Sequence, residues 1–215
     1  MTYRVKPVVE FMADDEIEDR ANKLLRKYEA QHGPIHDPPV PVEFIAEDTL
    51  GFEVKLTELD DANTVAYIAP DQRQICVNEL QSEYLNNVGQ EFTIAHEIGH
   101  WVLDHFAEDR TKTLAGLDNQ PTRFLHRGKP DGQYKRHEIQ AEHFASCLLM
   151  PKKLILPLVT EFDVFQWRNL YDLQAQFHVS ITAMTKRLQK LKLIYIRGKC
   201  IYANELEAHG TKRLF

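Results

Sequence analysis

The chain has 215 residues, 43% hydrophobic and 27% charged, with 26 Lys and Arg against 32 Asp and Glu for a net charge of −6. That composition excludes a collagen-like or disordered chain, because it supplies enough apolar side chains for a core and holds only 9 Gly and 10 Pro. No apolar run approaches the roughly 18 residues of a spanning helix, and the opening MTYRVKPVVEFMADDEIEDR carries no apolar signal core, so a cytoplasmic protein without membrane contact is expected.

Cys76, Cys147 and Cys200 lack the close spacing of a disulfide scaffold or a Cys-based zinc module. The charge is unevenly spread. Residues 1–100 carry 8 Lys/Arg and 20 Asp/Glu, a balance of −12, and residues 101–164 are neutral at 9 against 9. Residues 165–199 carry 7 Lys/Arg against Asp172 alone, a balance of +6, so an acidic front leads into a basic tail.

In chain order, residues 14–31 read as a helix with Ile17, Ala21, Leu24, Leu25 and Tyr28 on one stripe, ending before Gly33-Pro34. A Pro-rich connector runs from Pro34 to Pro41, then Val42–Leu50 reads as a short helix closed by Gly51, and Phe52–Leu56 alternates as a strand. Thr64–Ile68 and Gln74–Val77 flank a turn over residues 69–73 as a hairpin. A helix is expected from Gln90 to about Leu103, a long polar segment over 104–136, and a second helix from about Arg136 to Leu149, stopped by Pro151.

The sharpest motif is His96-Glu97-Ile98-Gly99-His100, H-E-x-x-H on the first of those two helices. Residues i and i+4 share a helix face about 6 Å apart, so two imidazoles there can converge on one Zn²⁺ at roughly 2.0–2.1 Å. The adjacent Glu97 can act as general base toward an attacking water. The flanks Phe92, Ile94, Ala95, Ile98, Trp101, Val102 and Leu103 are apolar on most sides, which places the imidazoles inside, where they need partners.

A catalytic zinc needs a third protein ligand and an open position. The second helix offers Glu138 and Glu142 on one face, near the small or apolar Ala141, Ala145 and Leu148 that would permit close helix packing. The expected assignment is Glu138 as ligand and Glu142 as the group orienting a ligand imidazole, with His137 and His143 as competing ligands.

Together, Phe92-Thr93-Ile94-Ala95-His96-Glu97-Ile98-Gly99-His100-Trp101 and Glu138-x-x-Ala141-x-x-Phe144-Ala145-x-x-Leu148-Leu149-Met150-Pro151 resemble the ImmA/IrrE family of metallopeptidases. Pro41-Val42-x-x-Ile45-Ala46, Leu50-Gly51-Phe52 and Ile75-Cys76-Val77-Asn78 are also similar to that family's approach to its active-site helix, and the resemblance covers about residues 15–195. It implies an α+β gluzincin-like fold, with His96, His100 and Glu138 as zinc ligands and Glu97 as general base. It also implies a helix-turn-helix transcriptional repressor as substrate, cut in response to DNA damage, mobile-element activation or phage-defence signals. The chain departs from the family at Gln140-Ala141-Glu142, where Glu-Ala-Asn or Glu-Ala-Asp is frequent. Gln140 is a poor zinc ligand, so the role falls to Glu138.

Other candidates have two readings each. Asn78 either lines the cleft beside a substrate-pairing strand or simply ends that strand. Tyr134 or His126 either stabilises an oxyanion or is a surface residue. Cys76 either reaches the open zinc position as an inhibitory thiolate or packs in the sheet. The stretch PTRFLHRGKPDGQYKR before the second zinc helix carries five Lys/Arg and one Asp, and is expected to cover the cleft through Arg123, Arg127 and Lys129.

Toward the C-terminus, Phe165–Phe177 reads as a helix, His178-Val179-Ser180 as a turn, and Ser180 as N-cap of a helix to about Leu191. Leu191–Ile196 and Cys200–Tyr202 flank a turn at Arg197-Gly198-Lys199, a helix-turn-helix or winged-helix pattern. Thr182, Thr185, Lys186, Gln189 and Lys190 would form its exposed face. The division expected is a metallopeptidase domain over 1–160 and a basic module over 161–215. That module either binds nucleic acid, weakly and as single strand rather than specific duplex, or serves peptidase docking and substrate recognition. The favoured function is a zinc endopeptidase acting on a partner repressor. The rivals are a DNA-binding regulator with a structural or idle zinc, and a zinc hydrolase of a small substrate.

Overall fold

The computed structural model describes residues 12–59, 64–105 and 132–209, apart from the side chains of 81–88, 132–134 and 209. Among these residues it is an α+β fold, with one three-stranded sheet, one hairpin and eight α-helices. Helix α1 (Asp14–His32) opens with Asp14, Asp15 and Glu16, which complement the helix dipole, and buries Ile17, Ala21, Leu24 and Leu25 as the stripe predicts. It stops at Gly33, whose φ of +92° only glycine adopts readily. Helix α2 (Val42–Phe44) runs on as a π-helical turn over Ile45–Thr49, closed by Gly51 at φ +72°.

Strands β1 (Glu53–Thr57), β2 (Ala66–Ala69) and β3 (Gln74–Asn78) form a sheet of order β1-β3-β2. β1 runs parallel to β3, and β2 pairs antiparallel to β3 across a 3₁₀ turn at Pro70–Gln72, the expected hairpin. Phe52, read as the first strand residue, lies just ahead of β1 and is fully buried against Trp101.

Helix α3 (Glu79–Val102) is 24 residues long and starts eleven residues before the expected Gln90. Residues 79–89 carry Leu80, Tyr84, Leu85 and Val88 at helical spacing, a signal that the expected start at Gln90 passes over. The helix begins at Asn78, whose side chain accepts a hydrogen bond from the Leu80 N–H. Helix α4 (Gly132–Leu149) likewise begins ahead of the expected Arg136, so the end of the basic stretch is helical, while Arg123, His126, Arg127 and Lys129 lie outside the described residues. Past Pro151 an unexpected helix α5 (Lys152–Glu161) forms, its first turn closing onto the Pro151 carbonyl.

Helices α6 (Trp167–Gln176) and α7 (Ile181–Lys190), strands β4 (Tyr195–Arg197) and β5 (Cys200–Tyr202), and helix α8 (Glu205–His209) complete the chain. Ser180 caps α7 as expected, accepting from the Ala183 N–H. A single cluster of buried side chains runs from Ile17 on α1 through Ile94, Phe144 and Ile155 to Leu170, Phe177, Leu188 and Ile194, continuous across residue 160.

α7 is fastened to the rest by charge as well as packing. Arg187 is 1% exposed and donates to Glu18 Oε1 at 2.7 Å, to the Met150 carbonyl at 3.0 Å and to Cys147 Sγ at 3.3 Å. Burial alone would raise the Glu18 carboxyl, but Arg187 and Lys152 outweigh it and hold the group below its ordinary value. Lys190 pairs with Asp14 at 3.0 Å. Thr185, expected on the exposed face of α7, is buried and turns its hydroxyl back to the Ile181 carbonyl.

Arg187→Ala leaves Glu18 buried without its guanidinium and should cost about 3–5 kcal/mol in chemical denaturation. Beside it, burial pushes His143 down to about 4. Between roughly pH 6.5 and pH 4 the unfolded chain therefore binds a proton at His143 that the folded chain refuses, and stability falls as pH falls. Metal-free His143→Asn protein should show a shallower loss over that window than the wild-type chain.

Candidate metal centre

The site is made by two helices that cross with almost no gap. A Cβ placed on Gly99 would meet the Cα and carbonyl oxygen of Ala141 and Cδ1 of Phe144, each at 3.2 Å. Glycine inside H-E-x-x-H and alanine on α4 thus let the helix backbones approach, which carries Glu138 to the imidazoles. His96 Nε2 and His100 Nε2 stand 3.1 Å apart, and each lies 3.2 Å from a Glu138 oxygen. All three donor atoms fall within 4.8 Å of one another. Two ligands about 2.0–2.1 Å from a tetrahedral ion stand about 3.3 Å apart, so these spacings, and a set of two imidazoles and one carboxylate, fit a zinc ion.

His100 is held from behind. Its Nδ1 lies 3.0 Å from His105 Nδ1, and His105 Nε2 lies 3.0 Å from Gln140 Oε1. A carbonyl oxygen only accepts, so His105 donates from Nε2 and its Nδ1 takes the hydrogen that His100 Nδ1 donates. His100 is thereby set in the tautomer whose Nε2 lone pair faces His96 and Glu138. The relay needs a neutral His105. Burial, followed by the neighbouring His100 and His137, lowers it to about 3, and His137 stacks on its ring at 4.2 Å.

Glu97 is 2% exposed and shares a cleft of about 540 Å³ with His96, Glu138, Phe92 and Thr93. β2, at one edge of the sheet, brings Ala66 to the same cleft, beside Val65.

The sequence profile of the IrrE N-terminal-like domain, Peptidase_M78, matches residues 47–189, which include both helices of this centre. The chain belongs to the ImmA/IrrE peptidase family. A solved structure of a Mycobacterium tuberculosis transcriptional regulator superposes on this ImmA/IrrE chain with a TM-score of 0.54 at 15% identity, a likeness of fold. The match covers 82% of this chain and 48% of that one, so this chain spans about half that protein's length. No curated protein sequence matches it.

Of the residues singled out from sequence, the structure gathers His96, His100 and Glu138, with Glu97 beside them. Glu142 does not orient an imidazole. One turn beyond Glu138 it has climbed about 6 Å along α4 to an exposed position 3.9 Å from Lys186, and His105 occupies the His100 Nδ1 instead. Asn78 is 0% exposed and donates to the Thr64 carbonyl at 2.7 Å besides capping α3, so it braces β3 and lines no part of the cleft. Cys76 packs with Tyr67 and Ala69 on the sheet face opposite Ile75 and Val77, turned from the metal helices. His143 contacts Cys147 and Asp14, and His137 stacks on His105, so neither joins the three donors. The side chain of Tyr134 lies outside the described residues.

His105 and Gln140 escaped the sequence reading because neither shares a helix face with its partner at i+3 or i+4. His105 lies past the end of α3, and Gln140 comes 35 residues later. His105→Ala or Gln140→Leu should weaken zinc binding by about 10–100-fold in chelator competition, with the circular dichroism spectrum unchanged.

Proposed function

We propose that the chain is a zinc peptidase that cuts a partner helix-turn-helix regulator and so relieves repression after DNA damage or on mobile-element or phage-defence signals. The observation that carries the catalytic part is the convergence of His96, His100 and Glu138 in the wall of a cleft that also holds a buried Glu97. The class of partner rests on family membership and is the reading's own step.

His96, His100 and Glu138 would hold the zinc, with His105 and Gln140 fixing the His100 ring. A zinc ion held there polarises a carbonyl and lowers the pKa of water to about 7. Glu97 takes a proton from the water that attacks the scissile carbonyl, and hands it to the amine nitrogen as the C–N bond breaks. Its burial beside His96 keeps that carboxylate at the reacting centre and out of bulk solvent. β2, an edge strand of the sheet among the described residues, would offer backbone groups to an extended chain entering the cleft.

The rival reading, a DNA-binding regulator with a structural zinc, fits less well. A structural zinc is closed by four protein ligands, and among the described residues three donors converge. Two of the seven cations of the basic tail are also engaged within the fold, Arg187 buried on Glu18 and Lys190 paired with Asp14. Weak single-strand affinity would fall to Arg168, Lys192, Arg197 and Lys199, which are exposed.

Glu97→Gln should retain one equivalent of zinc and lose about 10²–10⁴ of its cleavage rate on a regulator encoded beside this gene, read by gel and mass spectrometry. His96→Ala should lose the metal. Full cleavage by Glu97→Gln would contradict the mechanism.

A further inference from the structure

The metal cleft does not end at Glu138. A second cavity of about 250 Å³ adjoins it, and the two share Phe92, Ile139 and Glu142 as walls. Its far side is the first turn of α7, with Ser180, Thr182 and Ala183, and Lys186 stands at the rim. Ile139, next to the ligand Glu138, is 53% exposed and lines both spaces. A half-exposed isoleucine between a metal centre and a small, largely apolar hollow is a surface made to be covered.

We propose that this cavity is a substrate subsite, in which the N-terminal turn of α7 and the two metal helices grip a bulky apolar side chain of the polypeptide being cut, with an acidic neighbour meeting Lys186. The proposal rests on the peptidase reading and deepens it.

Three observations select that occupant. The cavity has room for one bulky side chain; its walls include the buried, neutral His143, and the Lys190 that also lines it is already paired with Asp14 at 3.0 Å. The rim differs: the Lys186 side chain is 65% exposed and, among the described residues, its ion pair is a long 3.9 Å contact to Glu142, so a carboxylate on the substrate can take it over. Position along α4 sets the spacing. Glu142, His143 and Ser146 of its wall stand one to two turns beyond Glu138, about 6–12 Å, and an extended chain advances about 3.3–3.4 Å per residue. The gripped side chain therefore lies about two to four residues from the cut bond. In this arrangement α7 reads a peptide, and the helix-turn-helix order of the C-terminal stretch serves substrate choice.

The test separates binding from cutting. Short random peptides displayed on phage are selected on the zinc-loaded full-length Glu97→Gln variant. The affinity of an enriched, fluorescein-labelled peptide is then measured by anisotropy on that variant and on forms also carrying Ala183→Trp, Thr182→Trp or Lys186→Glu. Melting curves and zinc content identify any Trp variant that fails to fold, and Thr182, being exposed, provides the mild alternative. The expected result is enrichment of a bulky apolar residue beside Asp or Glu. Affinity should fall about tenfold or more in a folded Trp variant, and Lys186→Glu should remove the acidic preference. Absence of such a pattern, or equal affinity in the folded Trp variants, overturns the subsite. If the peptides bind through the cavity but the wild-type chain never cuts them, the subsite stands and the peptidase reading falls. If the wild-type chain cuts peptides that ignore the cavity, the reverse holds.

Discussion

The close crossing of α3 and α4 is the constraint on which the centre depends. Three atoms of α4 stand 3.2 Å from where a Gly99 side chain would begin, two of them backbone. At that separation a carboxylate from one helix reaches two imidazoles on the other, and Gln140 reaches His105 just past the end of α3. The three donor atoms and the relay behind His100 thus come from the same contact. A small outward shift of α4 would lengthen the Glu138 and Gln140 contacts together. The rest of the fold holds the pair in place: Asn78 ties the start of α3 to β3, Arg20 on α1 donates to the Val102 carbonyl at its end, and α1 packs along α4.

Charge distribution takes on a different meaning once folded. The +6 of residues 165–199 suggests a basic surface, yet one of its seven cations, Arg187, is the largest of the fully buried side chains on α7. Glu18 and Asp14 of the acidic front meet Arg187 and Lys190 of the basic tail, the first pair buried and the second at the surface. A buried pair of this kind is a modest source of net stability, but it fixes which face of α7 points inward. That leaves Thr182 and Lys186 outward, over the cavity next to the metal cleft.

What the sequence discloses follows from which contacts are local. H-E-x-x-H and the stripe of α1 repeat at helical spacing, and small residues at 141 and 145 foretell a close neighbour, so the convergence of His96, His100 and Glu138 is legible before any coordinates. The start of α3 is legible too, in the Asn78 cap and the helical spacing of Leu80, Tyr84, Leu85 and Val88, but the expected helix covers only the surroundings of H-E-x-x-H. Glu142 misleads for a geometric reason: sharing a face with Glu138 does not mean sharing its height along the axis. Thr185 and Arg187 show the same limit in α7, where polarity suggests exposure and tertiary pairing decides otherwise. Alternation along β3 correctly places Cys76 away from Ile75 and Val77.

The measurement that bears most directly on the account is anomalous diffraction at the zinc edge from crystals of the full chain grown with zinc. The account predicts one strong peak held by His96 Nε2, His100 Nε2 and Glu138, with His105 on the far side of the His100 ring and no fourth protein ligand. A zinc enclosed by four protein side chains, or a peak elsewhere with this trio empty, would contradict it.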